Sequence, residues 1–503
     1  MSSAVEQLRA RLAQIADLGR ARALLSWDQW TVMPRAGGPA RADQLATLTG
    51  VRHGLATDDE IGRLLDAAAK EVEGLPYDSD DASLVRIARR DWERARRVPA
   101  ELRAEIARAN SISEEAWARA REASDFDAFL PHLRRNLELA RREAECLLGW
   151  EGLDNHYDAL LDSYEPGMRA AALAPVLAEL REGLAPICAD LPAGDPAREP
   201  SCLNGRFPVA AQRELMALIA QELPLPEAGW RLDDTVHPFA TTIGPRDVRI
   251  TTRYDERYLG TAIWSVIHEI GHALYGSGLP EHLFRSPLYR SPSLGFGESQ
   301  SRLWENWVGR SRAYVRRLRE HLARTFPQAF EGVSADELFR AANRHRRSLI
   351  RVEADEVTYN LHIAIRFELE RELVAGELDP ADLPRAWNER VEAYLGLEVP
   401  DDASGALQDI HWAGGSFGYF PTYSVGNLIA AQLYEQAQAE LGDLDARIEA
   451  GDFVALHDWL RERVYRHGGR FSSPEMIERT VGELRAEPLL AHLRRRLAEA
   501  QEG

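Results

Sequence analysis

The chain has 503 residues, 45% hydrophobic and 28% charged, which excludes a disordered or fibrous protein and allows one large multilobed enzyme or several domains. Its formal charge of -19, from 80 acidic and 61 basic residues, repels nucleic-acid phosphates on average, so no nucleic-acid partner is expected. Three cysteines, Cys146, Cys188 and Cys202, make no disulfide framework, and no apolar run resembles a signal peptide or a membrane span, so the chain reads as cytoplasmic with no membrane partner.

Apolar residues at three-and-four spacing predict helix over most of the chain, with Arg and Glu on the opposite faces. Residues 3–19 form the first predicted helix. Trp27-Asp28-Gln29-Trp30 follows, then Pro34 and a turn at Gly37-Gly38-Pro39. Thr57 with Glu60, Ser111 with Glu114 and Ser334 with Glu337 have the spacing of capping boxes. Residues 125–149 and 168–189 are further long amphipathic helices. The Pro- and Gly-rich stretch 190–206 reads as a long connection. It separates a helical N-terminal part, 1–190, from a catalytic part, 207–503, and both are expected to line one groove.

Strand character emerges at 236–253, where β-branched residues flank Gly244-Pro245 and predict a short hairpin. Helix resumes near 260, a glycine- and aromatic-rich loop is expected over 400–427, and helices return over 451–500. The fold class expected is mainly α, with a small β-sheet near its centre.

The segment 260–278 contains His268-Glu269-Ile270-Gly271-His272. On a helix His268 and His272 share a face, one turn apart, and two imidazoles so placed can hold one metal. Glu269 lies beside the first histidine and reaches a water on that metal. Zinc acidifies the water and polarises a scissile carbonyl, and Glu269 takes the proton and passes it to the leaving amine. The competing reading is a pair of hydrogen-bonded structural histidines. The apolar neighbours Ile267, Ile270 and Ala273 oppose it, because they sink the motif where unpaired polar groups are costly. A catalytic site needs a third protein ligand and an open position. Glu298 leads the candidates, with Glu305 the alternative and Glu281 and His282 also available.

Motifs dispersed over nearly the whole chain resemble the thermostable metallocarboxypeptidases of family M32. They are Trp27-Asp28-Gln29, Met33-Pro34, Tyr164-Glu165-Pro166-Gly167-Met168, His237-Pro238-Phe239, Asp247-Val248-Arg249-Ile250-Thr251, the His268–His272 segment, residues 298–302, residues 350–356 and residues 418–427. The resemblance implies a helical, groove-containing fold like that of neurolysin. It implies one Zn2+ per subunit on His268, His272 and Glu298, with Co2+ able to substitute, and Glu269 as general base. The reaction implied is release of single residues from the free C-terminus of peptides, broad in side chain and poor beside proline, by a homodimer. Two positions depart from the pattern. Gly297 stands where a histidine commonly precedes the third ligand, and Trp30 stands where a glutamate commonly follows Trp-Asp-Gln.

An exopeptidase must hold a terminal carboxylate, and an arginine fork suits that group. Arg351 is the leading candidate, on one helical face with Asp355, Tyr359 and His362. Asp355 orients Arg351 or supports a metal-bound histidine, and Glu356 is a second candidate for that support. His237 binds substrate or steadies the developing oxyanion, and Arg249 binds substrate or protects a strand edge. The loop 408–423 gathers His411, Tyr419 and Tyr423, of which Tyr423 is favoured as an oxyanion donor. The hairpin offers backbone pairing to an extended peptide. Alternative readings are a helical zinc endopeptidase or dipeptidase and an inactive peptide-binding homologue.

Overall fold

The computed structural model describes residues 2–194 and 200–501. Among them twenty α-helices run from α1 (Ala4–Thr31) to α20 (Glu487–Gln501), around one three-stranded sheet. Residues 195–199, inside the predicted connection, lie outside the described residues.

Helix starts follow local hydrogen-bond chemistry. Ser3 caps α1, accepting from the Glu6 N–H at 3.1 Å while Glu6 accepts from the Ser3 N–H at 3.0 Å. The helix then runs twelve residues beyond the predicted end at 19 and carries Trp27-Asp28-Gln29-Trp30. Asp58, not Thr57, caps the helix Asp59–Glu71, because the Thr57 hydroxyl donates back to the His53 carbonyl. Ser111 lies inside the helix Ala100–Ala123, so its spacing to Glu114 marks no start. Ser334 caps Ala335–Ala342 as expected. The predicted helices at 125–149 and 168–189 are Phe126–Glu145 and Ala170–Ala189.

The sheet has the order β1-β3-β2. The expected hairpin is present as β2 (Ala240–Gly244) and β3 (Asp247–Thr252), paired antiparallel. Its other partner, β1 (Trp230–Asp234), lies parallel to β3 with Trp230 opposite Val248. Helix α1 docks on this sheet through Trp27, whose buried ring has the guanidiniums of Arg231 and Arg249 at 4.8 and 4.7 Å. Arg20 of the same helix donates to the Thr242 carbonyl of β2.

Helix α10 (Gly260–Gly278) lies against the sheet on one side and crosses α11 (Leu294–Arg302) on the other. The crossing is close because position 271 is glycine. A Cβ there would stand 2.6 Å from Ser301 Cα and 2.7 Å from the Gln300 carbonyl. Helix α16 (Pro421–Leu441) packs on α11, and α14 (Glu356–Ala375) packs on α16. Gly426 of α16 makes that contact possible, since a Cβ would meet Glu298 Cβ at 2.9 Å. The aromatic-rich loop therefore ends at Phe420. Residues 421–427, expected in the loop, form the first turns of α16, with Pro421 at a position that needs no N–H. One contiguous apolar core runs through these elements. No helix among the described residues is long and apolar enough to cross a membrane.

Candidate active site

A cleft of about 1010 Å³ opens beside α10, and its lining residues lie between His237 and Leu489. Helix α1 reaches the sheet near this cleft through the Trp30 carbonyl, which accepts from Thr235 Oγ1 at 3.3 Å. The Trp30 side chain is 57% exposed.

The floor is built by α10. Val266, Ile267, Ile270 and Ala273 are buried in the core, which turns His268 and His272 toward the cleft. Helix α11, held close by Gly271, supplies Glu298. Its Oε2 lies 3.7 Å from His268 Nε2 and 3.5 Å from His272 Nε2. Metal bonds of about 2.0–2.1 Å in tetrahedral geometry place ligand atoms roughly 3.4 Å apart, so this set fits one divalent ion. Among the described residues these three side chains make the group able to hold a metal. The other candidates stand elsewhere: His282 pairs with Asp80 at 3.0 Å, and Glu281 is exposed.

Glu305 has a different position. Residues 303–309 form a π-helical turn that continues α11, and Glu305 Oε2 lies 2.9 Å from His268 Nδ1. With Nδ1–H donating there, His268 presents the Nε2 lone pair to the metal position. Arg310 donates to Glu305 Oε1 at 3.2 Å and lies 3.9 Å from Glu356, which in turn meets His492 at 3.3 Å.

Opposing charges set the carboxylates apart. Burial alone would raise Glu298, but Arg302, donating at 2.7 Å, and His268 outweigh it and hold its carboxyl well below the usual range. Glu305 is likewise drawn down to about 2, burial being outweighed by His268, Arg302 and Arg310. Glu269 goes the other way. Burial, helped by Glu298 and Glu305 and opposed by His272, pushes it up to about 7. Its Oε2 is buried and has no hydrogen-bond partner, the kind of exception that clusters at functional sites.

Arg351 is not on a helix face with Asp355. It sits in the single turn Arg351–Glu353, and the side chain of Asp355 caps α14 by accepting from the Val357 and Thr358 N–H groups, each at 2.9 Å. That cap starts the helix after 355 and breaks the predicted face. Asp355 accepts the Arg346 N–H as well, at 2.6 Å. The partners of Arg351 are Asp409, at 2.7 Å from Nη2, and the Tyr359 hydroxyl, at 3.1 Å from Nη1. His362 turns inward, with Nε2 3.0 Å from the Ser348 carbonyl.

His411, Tyr419 and Tyr423 line the cleft together with Arg351. The two tyrosine hydroxyls are 3.4 Å apart. His237 lines the rim, whereas Arg249 pairs with Asp247, stacks on Trp27 and is not among the lining residues. Arg253 and Tyr258, which the sequence did not single out, line that side. Position 297 has room: a Cβ there would meet only Ser291 Oγ, at 3.9 Å.

The N-terminus of α11 rests on Glu165. This fully buried carboxyl accepts from the Gly295 N–H and from Ser473 Oγ, both at 2.6 Å, and burial pushes it up to about 7. A free Glu titrates near about 4.3. The folded state therefore binds the proton more tightly, and the stability so gained is full below about 4.3 and lost as pH rises to about 7. Thermal unfolding of the wild type and Glu165→Gln at pH 5 and 7.5 checks this. The wild type is expected to lose ground to the variant as pH rises, and a difference independent of pH contradicts it.

Comparisons with known proteins identify the family. The family model described as carboxypeptidase Taq (M32) metallopeptidase matches residues 7–497. The thermostable carboxypeptidase 1 of Thermus thermophilus is 44% identical over 98% of this chain and 97% of its own length. Carboxypeptidase 1 of Bacillus subtilis is 38% identical over 94% and 93%. The crystal structure of an M32 carboxypeptidase from Deinococcus radiodurans superposes with a TM-score of 0.92 at 41% identity, covering 99% of both chains. On the family match, the full-length relatives and the shared architecture, the chain belongs to the M32 family and is a metallocarboxypeptidase, a peptide hydrolase.

Proposed function

We propose that this enzyme uses zinc to release single residues from the free C-terminus of peptides, with broad side-chain tolerance and poor cleavage beside proline. The observation that carries the reading is the convergence in one cleft of His268, His272 and Glu298, the partnerless carboxylate oxygen of Glu269 and the guanidinium of Arg351.

Two imidazoles and one carboxylate with an open fourth position suit Zn2+, and Co2+ shares the geometry. When bound, the ion supplies a Lewis acid for the scissile carbonyl and acidifies water. Glu269 Oε2 takes the proton of the attacking water and delivers it to the departing amide nitrogen. Glu305 keeps His268 in the required tautomer, and Glu356 supports Glu305 through Arg310. Asp355 supports the same wall by fixing the start of α14. Arg351 binds the terminal carboxylate. Tyr423, with Tyr419 and His411 beside it, donates to the carbonyl oxygen as it gains charge. His237 and the Ala240 end of β2 hold the upstream backbone, which accounts for tolerance of side chains. A proline there removes an N–H that this pairing uses. Arg249 acts on substrate indirectly, through the strand it braces against Trp27. We further place residues 1–503 in one catalytic unit, working as a cytoplasmic homodimer.

Time-resolved mass analysis of a peptide and its C-terminally amidated twin tests this reading. Stepwise loss of residues from the free acid alone is the expected result. Internal cleavage of both peptides contradicts it and points to an endopeptidase.

A further inference from the structure

Two arginines converge on one carboxylate behind the cleft. Asp409 Oδ1 accepts from Arg351 Nε at 3.0 Å and from Nη2 at 2.7 Å, and Oδ2 accepts from Arg366 Nε at 2.7 Å. Arg366 has no exposed surface and is not among the residues that line the cleft. Its Nη1 donates to the His362 carbonyl at 2.8 Å, and its guanidinium lies 4.5 Å from the Trp387 ring centroid. Arg351 faces the cleft. Three of the five N–H bonds of its guanidinium go to Asp409 and Tyr359, which leaves two for a ligand.

His411, His362 and Glu370, which flank the cluster, add no balancing charge. Burial, with the two arginines, draws His411 down to about 4 and His362 down to about 3, so both are neutral at pH 7. Burial pushes Glu370, one turn beyond Arg366, up to about 8, so it is largely protonated there. The cluster thus holds two positive charges and one negative charge. A buried charge without a partner is costly, and an anion arriving in the cleft supplies the missing partner.

We propose that Asp409 and Arg366 are positioning residues for the reaction: Asp409 fixes the plane of the Arg351 fork, and Arg366 neutralises Asp409 so that Arg351 keeps its full charge for the substrate's terminal carboxylate. This rests on the role of Arg351 given above. Without Arg366, Asp409 would saturate Arg351 and weaken its hold on a second carboxylate.

The test uses metal-loaded protein carrying Glu269→Gln, so that binding is read without turnover. Calorimetry gives the ratio of affinities for N-acetyl-trialanine as free acid and as amide. Adding Arg366→Gln is expected to lower the acid-over-amide ratio at least about tenfold. Adding Arg366→Lys, which keeps the charge, leaves the ratio within about threefold of the background. The double variant Arg366→Gln with Asp409→Asn recovers at least about threefold over Arg366→Gln alone, because the quenching carboxylate is gone too. A merely structural role would not produce that recovery. A ratio for Arg366→Gln within threefold of the background overturns the proposal, as does a double variant no better than the single. If Arg366→Gln does not fold, Arg366→Lys decides, and a tenfold loss there contradicts the charge argument. Arg351→Leu separates the two claims. If it leaves the ratio intact, the reading of Arg351 fails and takes this proposal with it. If it abolishes the ratio while the Arg366 variants do not, only this proposal fails.

Discussion

Glu269→Gln is expected to lower kcat by about 10²–10⁴-fold and to leave the metal content of the protein unchanged. The side chain is nearly isosteric, so the packing of α10 between the sheet and α11 survives. The amide has no basic site, so proton transfer is lost. The substitution leaves the neighbouring contacts in place. Glu269 Oε2 has no hydrogen-bond partner to forfeit, and the carboxylates that hold His268 and Arg302 are Glu305 and Glu298. Burial already pushes Glu269 up to about 7, the range in which a general base both accepts and returns a proton near neutral pH. Steady-state kinetics with metal analysis of the purified variant check the result. Turnover near wild type would place the base elsewhere.

The helix at 260–278 was legible because its signal is local: apolar residues at helical spacing and two histidines one turn apart settle both the element and the shared face. The hairpin was legible for the same reason, from β-branched runs around a Gly-Pro turn. β1 was not. Trp230–Asp234 is short and half polar, and its pairing to β3 skips the intervening strand. The role of Glu305 was also hidden, because its approach to His268 Nδ1 depends on a π-helical turn that no residue pattern announces. Around Arg351 the periodicity misled. Helical spacing continues back through 351–355, but the Asp355 side chain captures the first free N–H groups of α14 and starts the helix there. Asp409 joins Arg351 and Arg366 across 58 and 43 residues of sequence, a meeting set by the fold of the loop before α16. The pair Glu298 and Arg302 was within reach, since a glutamate four residues before an arginine on a helix is a common ion pair.

Removing the third ligand has a double effect. Glu298→Ala takes away the proposed third metal ligand and also leaves the largely buried Arg302 without its 2.7 Å partner. The nearest remaining carboxylate, Glu305, stands 3.6 Å from Arg302 and is already engaged with His268 and Arg310. Breaking a buried ion pair from one side costs about 3–5 kcal/mol. The metal-free variant is therefore expected to unfold at lower denaturant than metal-free wild type, with activity lost and not restored by added zinc. Chemical denaturation and zinc titration read the two effects separately.

In the function proposed above, His268, His272 and Glu298 hold one ion and leave a position open for chemistry. Anomalous diffraction at the zinc edge from crystals of the metal-loaded enzyme tests it most directly. One zinc per chain is expected, about 2.0–2.1 Å from His268 Nε2, His272 Nε2 and a Glu298 oxygen, with no fourth protein ligand. Zinc bound elsewhere, or closed in by a fourth side chain such as Glu305, would contradict it.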